Sequence, residues 1–550
     1  MKPNIYRNLA LALFAGLGLF IVLTFRQYGI SNDEFVQHTY GRLLLDFYSS
    51  GFHDQSAFHY INLYLYGGFF DLIAAILERI LPLWLWDMRH LLSALFGLGG
   101  IVAVYKMARL LGGERAGLVT AILLTLTGAW TGAMFTHTKD IPFATCMAWA
   151  LYYTMRIGQE LGYRRILQIP ASLSIKLGIA VGCALGMRIG GIFAVIYLSL
   201  MLCLAIAPQL RLTPSKGRLL LDTLRFFLPA AAIAFVLMGI FWPWGVMSPT
   251  HPLEAAKAFS HFAFDMKTVM DGEVMRIGQV PRDYIPAYLM VRLPEVFLLG
   301  LAGVALFGWQ QLRRYKARPQ VWLPWAALLI SIGFPLFFIL FDRPALYNGI
   351  RHFTFLLPPL AVLAGLGLCL MWDVLRERPI LRKGYALASI SLATLAVVTL
   401  LRLHPYEYVY YNHLAGNLAH AEHAWEGDYW SSSLREAAHI LESKVPGETE
   451  KGIGGGEVVA PYRVAVCAES IQGQAYLDHR FQITSDWLNA DFFISSTQMG
   501  CDTVLQGRVI GTVQRLGAVL AVIKDRRTLL AHQRMPRPTQ LTDLKEGKRS

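Results

Sequence analysis

Apolar and polar positions in this chain are segregated in blocks. Apolar runs of roughly 20 residues, the length that crosses a bilayer, occupy 8–25, 89–110, 115–136, 141–157, 172–187, 189–207, 224–243, 289–309, 321–341, 353–372 and 385–401. The pattern predicts eleven transmembrane helices. The fifth and sixth runs are nearly continuous and must bend near Arg188-Ile189-Gly190-Gly191. The first run follows Lys2 and Arg7, exceeds a typical leader h-region and lacks a small-x-small cleavage site, so it reads as a retained anchor.

The connectors fall into two kinds. One kind is short and basic: Arg109 and Arg115; Arg164 and Arg165; Arg211, Lys216 and Arg218; Arg313, Arg314, Lys316 and Arg318; Arg376, Arg378, Arg382 and Lys383. The other kind is long and mixed in charge, at 26–88, 244–288 and 402–550. Basic connectors belong on the cytoplasmic side, which places the N-terminus inside and the long segments outside.

Within the outer loop 26–88, Asp33–Phe47 and Tyr64–Leu81 carry apolar residues at helical spacing and read as interfacial amphipathic helices. Beyond 401 the pattern changes. Ser431–Val445 reads as an amphipathic helix, with Ser431-Ser432-Ser433 available as a cap. Short apolar runs at Arg463–Ala468, Asp491–Ser496, Arg508–Val513 and Val519–Lys524 read as strands, the last two a hairpin around Leu516-Gly517. The expected fold is an all-α polytopic membrane domain over 1–401, a small α/β extracytoplasmic domain over 402–534, and a polar, disordered tail over 535–550.

Composition agrees. Of 550 residues, 55% are hydrophobic and only 16% charged, against about 25% charged in soluble domains. The formal charge of +13 sits in the short connectors and argues against nucleic acid as a partner. Of six cysteines, Cys146, Cys183, Cys203 and Cys369 lie in apolar runs and read as small core residues. Cys467 and Cys501 lie in the outer domain and are expected to form a disulfide in an oxidising compartment.

Charged groups at the outer ends of the spans form two sets. The acids are Asp33 and Glu34, immediately after the first span, and Asp140. The cations are Lys139, Arg188, Arg276, Arg282, Arg292 and Arg351, with His352 beside the last. A carboxylate can take a proton from an attacking hydroxyl, and Arg can hold a phosphate through two parallel hydrogen bonds. An acid and a phosphate clamp at the outer leaflet fit a lipid-phosphate substrate. Asp33, Glu34 and Asp140 could share a divalent ion (Mg or Mn), though the sequence requires none. Farther along, Glu426-Gly427-Asp428-Tyr429-Trp430 pairs acids with aromatics, a composition suited to a sugar acceptor or to a structural loop. His404, His413, His420 and His423 fit no standard metal spacing.

Several short segments, in order, resemble the GT-C glycosyltransferases, in the branch of the protein O-mannosyltransferases and the bacterial aminoarabinose transferase. They are Asp33-Glu34, His137 to Phe143, Leu185 to Gly191, Pro281 to Pro294, Tyr347 to His352, and Leu356-Leu357-Pro358-Pro359. The resemblance covers about 1–375. It implies a GT-C fold and transfer of a sugar from a polyprenyl (undecaprenyl- or decaprenyl-type) phosphate to a glycan, lipid or protein hydroxyl, with inversion. It also implies a bacterial inner membrane with the site facing the periplasm. Asp33 maps to the family's catalytic acid and Glu34 to the second acid of that pair. Arg292 stands where relatives often carry Lys. A lipid-linked sugar flippase and a non-catalytic envelope-assembly scaffold are the rival readings. Transporters usually place polar, broken-helix sites at mid-membrane, whereas these charges collect at one face.

Overall fold

The computed structural model describes residues 3–212, 214–260, 266–315, 318–342, 344–445 and 461–534. The predicted tail 535–550 lies outside them. The chain divides into two compact units, Met1–Tyr429 with Arg515–Ala518, and Trp430–Gln514 with the segment after Val519.

The first unit is helical, and its long helices follow the apolar runs. Among the described residues, seven helices are long and apolar enough to cross a membrane, or eight if the bent pair Tyr284–Arg292 and Glu295–Gly308 is one span. The chain is an integral multi-pass membrane protein. The expected count of eleven is not reproduced by this measure. Two predicted spans merge in the 41-residue helix Leu85–Thr125, which breaks at Gly113 with φ 78° and ψ −174°, a conformation open in practice only to glycine. Tyr105 packs against Gly117 across this break, where an added Cβ would meet its ring at 2.8 Å; the helix is therefore a hairpin of two limbs. The second limb stops at Thr125, short of the predicted 136, and short helices Gly128–Thr131 and Ala133–Thr136 follow. The helices Asp140–Leu161 and Ala171–Leu185 complete the entry to the bend at Arg188, where a turn at Ile189–Gly191 leads into Ile192–Leu212.

Both amphipathic helices of the first loop form, as Glu34–Ser49 and Phe69–Ile80. They pack through Tyr40, Leu44 and Leu72, all buried. The loop is tied to the bend by the amide of Gly67 donating to the Met187 carbonyl at 3.2 Å and that of Phe69 donating to the Gly186 carbonyl at 3.0 Å. Any side chain at Gly67 would overlap the Gly186 carbonyl.

The boundary predicted at 401/402 falls instead at Tyr429/Trp430. The reason is a tyrosine-rich segment that packs as core. Tyr406, Tyr408, Tyr410 and Tyr411 are all fully or nearly fully buried. A second departure is the hairpin Lys267–Met270 with Glu273–Arg276 in the outer loop 244–288, where the mixed charge gave no strand signal. Cys203, expected in the core, is exposed on its helix.

The second unit holds the helix Leu434–Lys444 and a five-stranded mixed sheet. Strand order is Phe481–Ile483, Tyr462–Cys467, Phe492–Ser496, Ala518–Asp525, Arg508–Arg515. The first three are parallel, with Val464 opposite Phe492, and the fourth runs antiparallel, with Ile494 opposite Ile523. The helix buries Leu434, Ala437, Ala438 and Leu441, one face at i, i+3, i+4 and i+7 spacing. Strand Phe481–Ile483 has only three residues, too few for a periodic signal. Cys467 and Cys501 are disulfide-bonded, with Cα atoms 6.2 Å apart and 34 positions of separation.

That bridge closes a loop worth about 3–4 kcal/mol in the chain-entropy model. Reduction, or Cys501→Ser, should therefore lower the denaturation midpoint of the second unit. Alkylation of the unreduced, denatured protein should leave both thiols unlabelled while labelling the other four cysteines; full labelling of Cys467 and Cys501 would contradict the bridge.

Candidate active site

Four residues far apart in sequence converge at the ends of four elements. Asp33 caps the helix Glu34–Ser49. Asp140 opens Asp140–Leu161. Arg188 stands at the bend after Ala171–Leu185. Arg351 begins the turn Arg351–Leu356 that leads into Leu357–Val374. They form an alternating chain of charge. Arg188 is ion-paired with Asp140, Arg351 Nε lies 3.7 Å from the other Asp140 oxygen, and Arg351 Nη2 lies 3.4 Å from Asp33 Oδ2. Asp140 is buried, whereas the Asp33 side chain is 47% exposed. Of the two acids, Asp33 is the one that an incoming hydroxyl can reach.

The backbone aims these groups. Asp33 has φ 67°, in the left-handed region, which Asp and Asn tolerate better than other residues with side chains. Its carbonyl accepts from the Gln37 amide at 2.9 Å, so the side chain is set at the start of a helix rather than on a free loop. Arg351 follows two left-handed residues, Asn348 and Gly349, and the Gly349 amide donates to the Tyr284 hydroxyl at 3.0 Å. Rings flank the cations: Tyr347 lies 5.3 Å from the Arg351 guanidinium, Phe143 lies 5.9 Å from that of Arg188, and Tyr66 lies 3.9 Å from Lys139 Nζ.

Lys139 is buried, and its ammonium is pulled down to about 8 by that burial, against the pull of Asp71 and with Arg188 adding to the fall. The His137 ring is pushed down to about 3 by burial, which Asp140 opposes and Arg351 and Arg292 reinforce; it is a neutral ring. Its Nε2 is 2.8 Å from the Tyr429 hydroxyl, and Asn32 Nδ2 donates to the Tyr429 carbonyl at 3.2 Å.

The ionic chain opens onto an apolar groove of about 530 Å³. Phe143, Phe193, Phe338 and Phe355 line its length, and Arg188 and His352 stand in its wall. Arg188 Nε and His352 Nδ1 are buried with no hydrogen-bond partner. Buried polar atoms rarely go unmatched, so these two are suited to a ligand that carries oxygens. The arrangement joins a fatty channel to a cluster of cations with an exposed acid beside it.

Several predicted site residues are elsewhere. Glu34 is fully buried and points away from the groove. It accepts from the Ser31 amide at 3.1 Å, meets His90 Nε2 at 3.3 Å, and pairs with Arg89 at 3.4 Å. Burial works against its charge, yet His90, Arg89 and the Ser31 amide together hold the carboxyl below the usual range. It is thus engaged as a structural anion, which also separates it from the metal set proposed with Asp33 and Asp140. Among the described residues no group of three or more His, Cys, Asp or Glu is placed to hold a metal ion. Arg292 is buried as well: it donates to the carbonyls of Tyr408 at 2.8 Å, Tyr410 at 3.2 Å and Glu426 at 3.2 Å, over the Tyr411 ring. That commits three of its five N–H donors to backbone carbonyls. Arg276 is exposed at the end of its hairpin strand, outside the ionic chain.

The acceptor-facing reading of 426–430 also changes. Glu426 accepts from Thr268 Oγ1 at 2.5 Å and from the Val269 amide at 3.2 Å. Asp428 accepts from the Tyr408 hydroxyl. Both are buried, and Trp430 is buried in the second unit. Only Tyr429, half-buried against His137, lies beside the site.

The residue missed in the sequence is Arg89. It has no exposed surface, and it pairs with Asp71 at 3.0 Å as well as with Glu34. It also donates to Thr138 Oγ1 at 3.3 Å, and Thr138 donates to Gln37 at 3.0 Å. One guanidinium thereby braces the neighbour of Asp33 and the neighbour of Lys139. Its signal was visible: Arg89-His90 interrupts the start of an apolar run.

Comparison with known proteins bears on this site. Residues 70–244 match the dolichyl-phosphate-mannose-protein mannosyltransferase family. The match spans less than half of the chain, includes Arg89, Lys139, Asp140 and Arg188, and leaves Asp33 and Arg351 outside. No curated protein matches the sequence. Among solved structures, ArnT from Cupriavidus metallidurans bound to undecaprenyl phosphate is 16% identical, over 93% of this chain and 97% of that one, with a TM-score of 0.48. The archaeal oligosaccharyltransferase AglB from Archaeoglobus fulgidus, in complex with an inhibitory peptide and a dolichol-phosphate, is 14% identical over 89% of this chain and 69% of that one, with a TM-score of 0.49. Both scores lie below 0.5, and neither likeness fixes a role for any residue here.

Removing one partner of a buried charge network leaves the others uncompensated, at a cost of about 3–5 kcal/mol. Arg89→Ala should therefore lose stability on that scale in chemical denaturation, more than Arg42→Ala, whose partner Glu78 is only partly buried. Equal losses in the two variants would show that Arg89 is not the brace.

Proposed function

We propose that this protein is a membrane glycosyltransferase that takes a sugar from a polyprenyl-phosphate donor and places it on an acceptor hydroxyl. The observation that carries this reading is the junction of the apolar groove with Arg188, Arg351 and the exposed Asp33. A polyprenyl phosphate has the same two parts, a long apolar shaft and an anionic head. The partial match to the mannosyltransferase family supports the same class. The direction of the basic connectors favours a site on the outer, periplasmic face.

In this reading the prenyl chain lies in the groove and its phosphate displaces carboxylates from Arg188 and Arg351, with Lys139 nearby. Asp33 accepts the proton of the acceptor hydroxyl as its oxygen attacks the anomeric carbon. The bond from that carbon to the phosphate oxygen breaks, and polyprenyl phosphate leaves with the electron pair, stabilised by the guanidinium groups. A single displacement inverts the anomeric carbon. Asp140 touches both arginines and acts as their positioning residue. The sequence requires no divalent ion for these steps; if turnover proves metal-dependent, Asp33 and Asp140 are the acids beside the phosphate pocket.

Two outcomes are expected. Asp33→Asn preserves the left-handed backbone and removes the base, so turnover should fall at least about 100-fold with folding intact; near-normal turnover with mass-spectrometric confirmation of product would remove Asp33 from the chemistry. Lys139 is a cation below about 8 and neutral above it. A phosphodiester favours the protonated form, so donor affinity should be full below that pH and decline as pH rises through it, with the midpoint moved upward in the complex. Lys139→Arg should bind the donor with no such decline. An identical decline in the variant would assign it to another group.

A further inference from the structure

A second cavity of about 450 Å³ shares no residue with the first groove or with the ionic chain. Three helices wall it, Leu85–Thr125, Asp140–Leu161 and Ala171–Leu185. Leu92 and Gly99, seven residues apart, place one face of the first helix toward it; Trp149 and Tyr153 do so on the second, and Lys176 and Cys183 on the third. The first two helices run away from the ionic site, and the third runs back toward it, ending just before Arg188. Leu92 and Cys183 therefore mark the end nearer the active site, and Tyr153 and Lys176 the end on the side of the basic connectors. The trough runs along the bundle.

Its far end is cationic and aromatic. Lys106, two helical turns beyond Gly99 on the same face, holds its ammonium 5.7 Å from the rings of both Trp149 and Tyr152. Lys176, Arg109 and Arg156 lie within its electrostatic reach. The two arginines are already matched, Arg109 with Glu114 at 3.4 Å and Arg156 with Glu160 at 3.4 Å, and Glu160 also serves Arg164 at 3.2 Å. Among the described residues neither Lys106 nor Lys176 has an acidic partner. A lysine at a span end normally snorkels to water, and a Trp/Tyr belt normally marks the headgroup level. Here both features stand at the mouth of a recess shaped for a chain, and two unmatched cations there complement an anionic headgroup.

We propose that this trough binds an anionic glycerophospholipid from the leaflet on the side of the basic connectors, with one acyl chain in the recess and the phosphate held between Lys106 and Lys176. The site is separate from the donor groove and does not depend on the glycosyltransferase reading.

Trp149 reports it directly. The full-length protein is reconstituted with phosphatidylglycerol or phosphatidylcholine carrying brominated acyl chains, which quench nearby tryptophan. The Trp149 component is the difference between the wild-type protein and Trp149→Phe. Phosphatidylglycerol should quench that component at a mole fraction on the order of tenfold lower than phosphatidylcholine, as two interfacial lysines would supply. The double variant Lys106→Gln/Lys176→Gln should lose the preference. Equal quenching by the two lipids in the wild-type protein would mean ordinary annular contact and overturn the proposal. Should the double variant fail to fold, Gly99→Leu, which fills the recess, gives an independent reading. Loss of high-affinity quenching supports the site, and an unchanged phosphatidylglycerol preference overturns it.

Discussion

A guanidinium buried beside a bilayer is tolerable only when carboxylates or carbonyls surround it, and three arginines arrange one end of the first unit under that constraint. Arg89 gathers Glu34, Asp71 and Thr138, fixing the first loop against the start of Asp140–Leu161. Arg292 gathers two carbonyls of the tyrosine-rich segment, Tyr408 and Tyr410, and that of Glu426. Arg351 differs: its partners, Asp33 and Asp140, are carboxylates at the mouth of a groove. The first two hold partners inside the fold, whereas the third holds Asp33 at 3.4 Å and Asp140 at 3.7 Å beside the groove. The same residue type thus serves as rivet in two places and as receptor in the third.

The locked arginines make the open one useful. Asp33 sits one residue from Glu34, and Lys139 and Asp140 follow Thr138 directly, so the brace at Arg89 transmits its rigidity through one or two peptide units to the groups at the groove. Precise placement of charge ahead of binding is what makes an electrostatic site effective. The left-handed Asp33 adds to this, since an unfavourable backbone geometry persists only where the surroundings over-determine it.

Much of this was legible in the sequence, for a physical reason. Charges that interrupt apolar runs are expensive, so Asp33, Asp140, Arg188 and Arg351 stood out and do converge. The same reasoning did not separate off Arg292, Glu34 and Glu426, which are buried among protein partners, because a buried structural charge and a ligand-facing one look alike until their partners are known. Arg89 was hidden by the opposite bias: it lies inside what read as the beginning of a span. The compact-unit boundary lies past 401/402 because Tyr406–Tyr411 looks like an aromatic loop yet packs as core, and the count of eleven spans is not confirmed, since a measure by helix length takes the two limbs around Gly113 as one and passes over the 15-residue helix Ala171–Leu185. Periodicity recovered both first-loop helices and the longer strands of the second unit, but not a three-residue strand or a hairpin of mixed charge.

The donor groove has walls of two kinds. Long helices such as Ile192–Leu212 and Pro319–Asp342 supply one part of the lining, and the ten-residue helix His251–Ser260 supplies another through Leu253, Ala256, Lys257 and Phe259. A ten-residue helix offers far less length for packing than a span does. The cationic mouth is built where several long helices begin or bend. In the reading proposed above, discrimination is therefore graded along the bound molecule: stringent at its charged head, which meets Arg188 and Arg351, and lenient along its hydrocarbon, which meets a mostly apolar lining.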